Sequence, residues 1–242
     1  MSHSNPPHAH RPPHAHPPDA NPPDANPPDA AQSPATAGHT IHWAWLYDIV
    51  VWIMSWGQDR ALRQWTVKLA ALQPGEAVLD VGCGTGDLTL AAKARVGAGR
   101  VIGLDAAAEM IAVARRKAAR RRVDVDFRVG LVEATGLPAH SCDVVLSSLM
   151  LHHLPGDLKR AGLVECRRVL KPGGRLVAVD FVRPAEGRRH GGMGWSAHPT
   201  PPQGAPDLAA LLAEAGFVDV TAGAAPFASL GYACGRAPAD GA

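Results

Sequence analysis

Long apolar runs, paired cysteines and a dominant charge sign are all missing from this sequence. Its four cysteines (Cys83, Cys142, Cys166 and Cys234) lie far apart and form no C-x-x-C pair. Neither a disulfide framework nor a zinc site is therefore expected, and a reducing, cytoplasmic setting is the default. The formal net charge is only +2, whereas a nucleic-acid-binding face usually brings a strongly basic balance, so no nucleic-acid partner is expected. No apolar run reaches the ~18 residues that a membrane span needs. The N-terminus also lacks the apolar core of a secretion signal. At 242 residues the chain can fill one α/β domain and is too short for two ordinary ones.

What is present falls into two parts. Residues 1–40 are low in complexity: Pro-Pro-His-Ala-His occurs at 6–10 and 12–16, and Pro-Pro-Asp-Ala occurs three times between 17 and 30. Proline at this density removes backbone donors and holds a chain extended, so a solvated tail is expected. Five histidines between His3 and His16 would permit weak capture of a metal, but they form no closed ligand set. From Ile41 to Trp56 the chain becomes apolar on every side of a helix, and five of the six tryptophans lie between 43 and 65. Such a segment must be buried or lie against something apolar. It reads either as a helix packed across the core or as a lid, over 41–72, on an apolar pocket. Peripheral membrane contact is a third reading, disfavoured by its single formal charge, Asp48.

The remainder alternates as a βαβ series. Strands are expected at about 77–81, 101–104, 125–129, 143–148 and 175–181, with helices at about 86–96, 107–120 and 157–169. A further helix near 207–215 and strands near 217–222 and 229–235 would complete the sheet. Between them, 183–206 is an irregular glycine- and proline-rich stretch holding His190, Trp195 and His198, the composition of a substrate-side loop. The basic run Arg115 to Arg122 spreads around its helix and reads as a solvated C-terminal end.

The most telling stretch is Val78-Leu79-Asp80-Val81-Gly82-Cys83-Gly84-Thr85-Gly86. A buried strand runs into a glycine-rich turn that opens a helix, the order that builds a nucleotide cradle. Asp80 sits at the strand end, so its carboxylate favours a cationic ligand over a pyrophosphate. About 20 residues on, Val101-Ile102-Gly103-Leu104-Asp105 ends in a second acid suited to accepting both hydroxyls of a ribose. Asp105 would also serve to cap the following helix.

These features resemble the Rossmann-like S-adenosylmethionine-dependent methyltransferases, most closely the ubiquinone/menaquinone C-methyltransferase-like group. The likeness rests on Val78–Gly86, Asp105–Met110, Glu133–Pro138, Asp143–Leu154 and Arg168–Gly174, within a domain spanning 41–242. It implies an α/β fold with a mostly parallel seven-stranded sheet, helices on both faces and an antiparallel last strand. It also implies S-adenosylmethionine as methyl donor and a small, apolar or aromatic acceptor. By position, Asp80, Gly82, Cys83, Gly84, Thr85 and Gly86 would hold the methionine end, with Ser148 near it. Asp105 and Ala106 would hold the ribose, and Met110, Glu133 and Ala134 the adenine. His152, His153 and Tyr47 are candidates for a catalytic base, as are Asp180 and His190, and the His-His pair serves equally well as structure. Two other functions fit less well: a silent donor-binding module, and a nicotinamide-dependent oxidoreductase, which would want G-x-G-x-x-G where Asp87 follows Gly86.

Overall fold

The computed structural model describes residues 58–181 and 207–239. The tail at 1–40, the tryptophan-rich stretch with Tyr47, and the 183–206 loop with His190 lie outside the described residues.

Chain order is α1 (Gln58–Leu69), β1 (Val78–Val81), α2 (Asp87–Val96), β2 (Val101–Asp105), α3 (Ala108–Arg121), β3 (Asp126–Val129) and β4 (Cys142–Ser148). A short 3-10 turn (Leu151–His153), α4 (Gly156–Val169), β5 (Leu170–Phe181), α5 (Leu208–Glu214), β6 (Val218–Ala224) and β7 (Leu230–Arg236) follow. The strands form one sheet in the order β3-β2-β1-β4-β5-β7-β6. The first five are parallel, while β7 runs antiparallel between β5 and β6. Inserting β7 there separates this sheet from the dinucleotide-binding order, whose sixth strand continues parallel.

Four-residue β1 is buried throughout, as a central parallel strand covered on both faces must be. On one face Leu79, Val81, Val145, Leu176 and Ala178 pack with Leu163 and Cys166 of α4 and Leu208 and Leu212 of α5. On the other, Val78, Val144, Leu146, Val177 and Val179 pack with Leu62 of α1 and Leu88 and Ala92 of α2. Within α1 and just past it, Leu62, Thr66 and Ala70 recur every four residues, the spacing that keeps one helical face dry. Trp65 makes edge contacts with Phe227 and Tyr232 at 6.0 and 5.7 Å. The described end of the expected lid is thus a helix packed against the sheet. No helix among the described residues is long and apolar enough to cross a membrane.

Element bounds follow the sequence reading closely, with one difference. Strand β5 begins at Leu170, directly at the end of α4, because Leu170 pairs with Cys142 before the register shifts. The Lys171-Pro172-Gly173-Gly174 turn lies inside that ladder. Gly173 there has a φ of 72°, and backbone bonds tie the turn to Ala237.

Candidate active site

The glycine turn follows β1 at the carboxyl edge of the sheet, where ligands of open α/β sheets bind. Its three glycines all take positive φ, at 66°, 52° and 82°, a region that costs other residues about 1–2 kcal/mol. They do different work. A Cβ on Gly82 would fall 2.2 Å from Met150 Cγ, and one on Gly86 would fall 2.6 Å from Phe127 Cζ and 2.8 Å from Ala114 Cβ. Those two are bare so that protein can pack. Only at Gly84 would an added Cβ meet nothing within 4 Å, so Gly84 alone turns its bare backbone toward open space.

Asp80 is buried at 1 % exposure. Thr89, in the first turn of α2, donates its hydroxyl to Asp80 Oδ2 at 2.6 Å. Burial nevertheless pushes the carboxyl up to about 7; the Asp105 charge adds to the rise and the Thr89 bonds oppose it. A buried carboxylate with no positive partner among the described residues is a site that a cation would complete. Burial, with Asp80 and Asp105 nearby, also drives the Cys83 thiol well above its usual range. Cys83 is therefore an inert wall of the turn.

Asp105 closes β2 with both oxygens engaged: Oδ2 accepts from the Gly84 N–H at 2.8 Å and Oδ1 from the Ala107 N–H at 2.9 Å. Each carboxylate oxygen keeps a second acceptor position. Asp105 thus holds the amide of Ala107, the N-cap residue of α3, without itself capping that helix as expected, and its bond to Gly84 sets the spacing between glycine turn and acid. Burial raises the Asp105 pKa, and the two backbone bonds oppose the rise. Ala106 beside it is half-buried.

Thr85 is gripped from α3: Lys117 Nζ donates to Thr85 Oγ1 at 2.7 Å and to Asp87 Oδ2 at 2.7 Å. In the same run Arg115 donates twice to the Phe127 carbonyl, at 3.1 and 2.6 Å. The basic run is therefore not merely a solvated helix end; two of its members tie α3 to the glycine turn and to β3. Nothing in the sequence announces this role for Lys117, because its partners lie 32 and 30 residues away.

Met110 is buried beside Ala107, with Val113 against them, and Glu133 is half-buried. The Ala134 N–H already donates to the Leu131 carbonyl at 3.2 Å, so an adenine ring would have to share that donor. Beneath this loop Glu165 of α4 accepts from the Thr135 hydroxyl and backbone at 2.6 and 3.1 Å. Arg168 grips the same carboxylate at 2.6 Å. Arg168 holds the Glu165 carboxyl at about 2, assisted by Thr135.

At the end of β4, Ser148 is half-buried, and Ser147 Oγ is buried with no hydrogen-bond partner among the described residues. Leu149 takes a φ of 54°, a strained value for a bulky residue, and Met150 beyond it packs against Gly82. His152 follows, with Nδ1 2.6 Å from Asp180 Oδ1 and its backbone N–H 3.2 Å from Oδ2. Its ring lies 3.9 Å from that of His153 and edge-on to Phe181 at 5.0 Å. Asp180, one of the candidate bases, is instead the buried partner of another, His152. An acid ending the apolar run Leu176-Val177-Ala178-Val179 was the signal available; the pairing was not.

Residues 78–174 match the family described as a methyltransferase domain. A demethylmenaquinone methyltransferase from Thermus thermophilus is 38% identical over 141 residues, 58% of this chain and 63% of that protein. A ubiquinone/menaquinone biosynthesis C-methyltransferase from Hydrogenovibrio crunogenus is 37% identical over 140 residues, 57% of this chain and 54% of that one. The chain thus matches between 54% and 63% of the length of these relatives. Among solved structures, a SAM-dependent methyltransferase from Aquifex aeolicus has a TM-score of 0.57 at 21% identity, covering 72% of this chain and 89% of that one. The [4+2]-cyclase SpnF has a TM-score of 0.58 at 22% identity, covering 74% and 80%. Likeness at that level shows fold, and one fold hosts more than one chemistry. Over 78–174 the chain thus matches a methyltransferase domain, carried on a sheet whose single reversed strand lies between β5 and β6.

Proposed function

We propose that the chain transfers a methyl group from S-adenosylmethionine to a small apolar aromatic acceptor of the quinol type. The observation that carries the reading is Asp105, fixed by the Gly84 and Ala107 amides beside the one glycine of the turn at which an added Cβ would meet nothing within 4 Å. A ribose diol would complete the Asp105 carboxylate, and the ligand's ammonium would compensate buried Asp80. Met110 and Glu133 would flank the adenine. When bound, the donor supplies a methyl group on a cationic sulfur, which leaves as a neutral thioether. The chain's own task is then to align the acceptor and exclude water, an effect worth on the order of 7–11 kcal/mol. The acceptor class follows the named substrates of the two curated relatives and the apolar, tryptophan-rich stretch before α1.

Isothermal titration with S-adenosylhomocysteine tests the donor half. Asp105→Ala should weaken binding at least about tenfold, because hydrogen bonds to a charged group contribute about 1.5–3 kcal/mol each. Absent binding by the wild type, or equal binding by Asp105→Ala, would sink it. Incubation with isotopically labelled donor and a 2-prenyl-1,4-naphthohydroquinone tests the acceptor half through the mass shift of the product.

A further inference from the structure

We infer that His152 is the general base for methyl transfer, acting through Nε2, and that Asp180 is the positioning residue that fixes its tautomer. The inference rests on the donor reading above and adds the proton path. Three donors converge on the buried Asp180 carboxylate: the His152 ring at 2.6 Å, the His152 amide at 3.2 Å and the Phe181 amide at 2.7 Å. A carboxylate so held is an acceptor only, so the shared hydrogen belongs to Nδ1 and Nε2 carries the lone pair. Nothing else among the described residues hydrogen-bonds the ring. Asp180 on β5 and His153 in the same turn are the titratable side chains against it among the described residues.

Location supports the role. The turn bearing His152 leaves β4, the strand beside β1, and Met150 in the approach to that turn sits on Gly82. The turn bearing the imidazole therefore leaves the sheet on the β4 side of the glycine turn, away from Asp105 on β2.

The step balances as follows. His152 Nε2 takes the proton of a ring hydroxyl, and the electron pair left on oxygen loads the adjacent ring carbon. That carbon forms a bond to the methyl group as the methyl–sulfur bond breaks, its electron pair staying on sulfur. The ring carbon then gives its own proton to water, and the imidazolium returns its proton to the oxygen. One proton is released overall, balancing the positive charge lost from sulfur.

The experiment uses the full chain, its His152→Gln, Asp180→Asn and Asp180→Glu variants, S-adenosylhomocysteine and the prenylated naphthohydroquinone. Histidine-ring nitrogen NMR without ligand should show the Nδ1–H tautomer for His152, assigned by its loss in His152→Gln. Asp180→Asn should disturb that tautomer, and Asp180→Glu should restore it in part. His152→Gln should cut kcat by about 10²–10⁴-fold, erase the acid limb of the pH profile, and leave S-adenosylhomocysteine affinity within about threefold. An Nε2–H tautomer in the wild type, a change confined to KM, or an unaltered acid limb overturns the inference. So does a wild type that binds S-adenosylhomocysteine but transfers to no hydroquinone. A wild type that fails to bind it removes the donor reading itself.

Discussion

Replacing Asp80 by Asn should abolish a fall in stability that the wild type shows as pH rises. In the folded chain without ligand, burial lifts the Asp80 carboxyl from 3.8 to about 7. The folded state therefore binds this proton more tightly than the unfolded state. A raised carboxylate confers no stability above its unfolded value; it withdraws stability as it is forced to ionise, from about pH 4 until pH passes 7. At about 1.36 kcal/mol per pKa unit, the penalty is about 1.7 kcal/mol at pH 5 and about 4.3 kcal/mol at pH 8. Between those two values the wild type should lose about 2.6 kcal/mol that Asp80→Asn keeps. Asn still accepts from Thr89, so the variant should fold. Urea unfolding of both proteins at pH 5 and pH 8 reads the difference of differences, cancelling the other titrating groups. Parallel pH dependence in the two chains would refute the account of Asp80 as a buried carboxylate short of partners. Saturating S-adenosylmethionine should shrink the gap, because its ammonium would favour the ionised form.

Gly86→Ala combines a φ of 82° with a Cβ 2.6 Å from Phe127, so unfolding free energy should fall by about 2–5 kcal/mol, from left-handed strain plus overpacking. Gly84→Ala should cost only about 1–2 kcal/mol of strain, since its Cβ meets no protein atom. It should nevertheless weaken S-adenosylhomocysteine binding at least about tenfold in a titration. Glu165, held at about 2 by Arg168 and Thr135, contributes stability above its ordinary 4.5 that is lost as pH falls toward 2; Glu165→Gln should flatten that acid limb in thermal melts. Thr89→Val removes a bond that lowers the Asp80 pKa, so its stability decline should extend to higher pH in the same urea series.

The sequence by itself determined the strands, the helices and the two acids. Each depends on local pattern: β-branched runs, helical periodicity, a glycine turn, and an acid a fixed distance along. The antiparallel last strand and the donor class came through the same stretches, by resemblance. Tertiary structure alone decided how the glycines divide their work, because Met150, Phe127 and Ala114 arrive from other elements. It alone decided that Lys117 clamps the turn from α3, and that the Thr89 hydroxyl donates to Asp80. It also turned Asp180 from a rival of His152 into its partner across 28 residues. Contacts of that span are set by how helices and strands pack, and packing leaves no periodic trace in the chain.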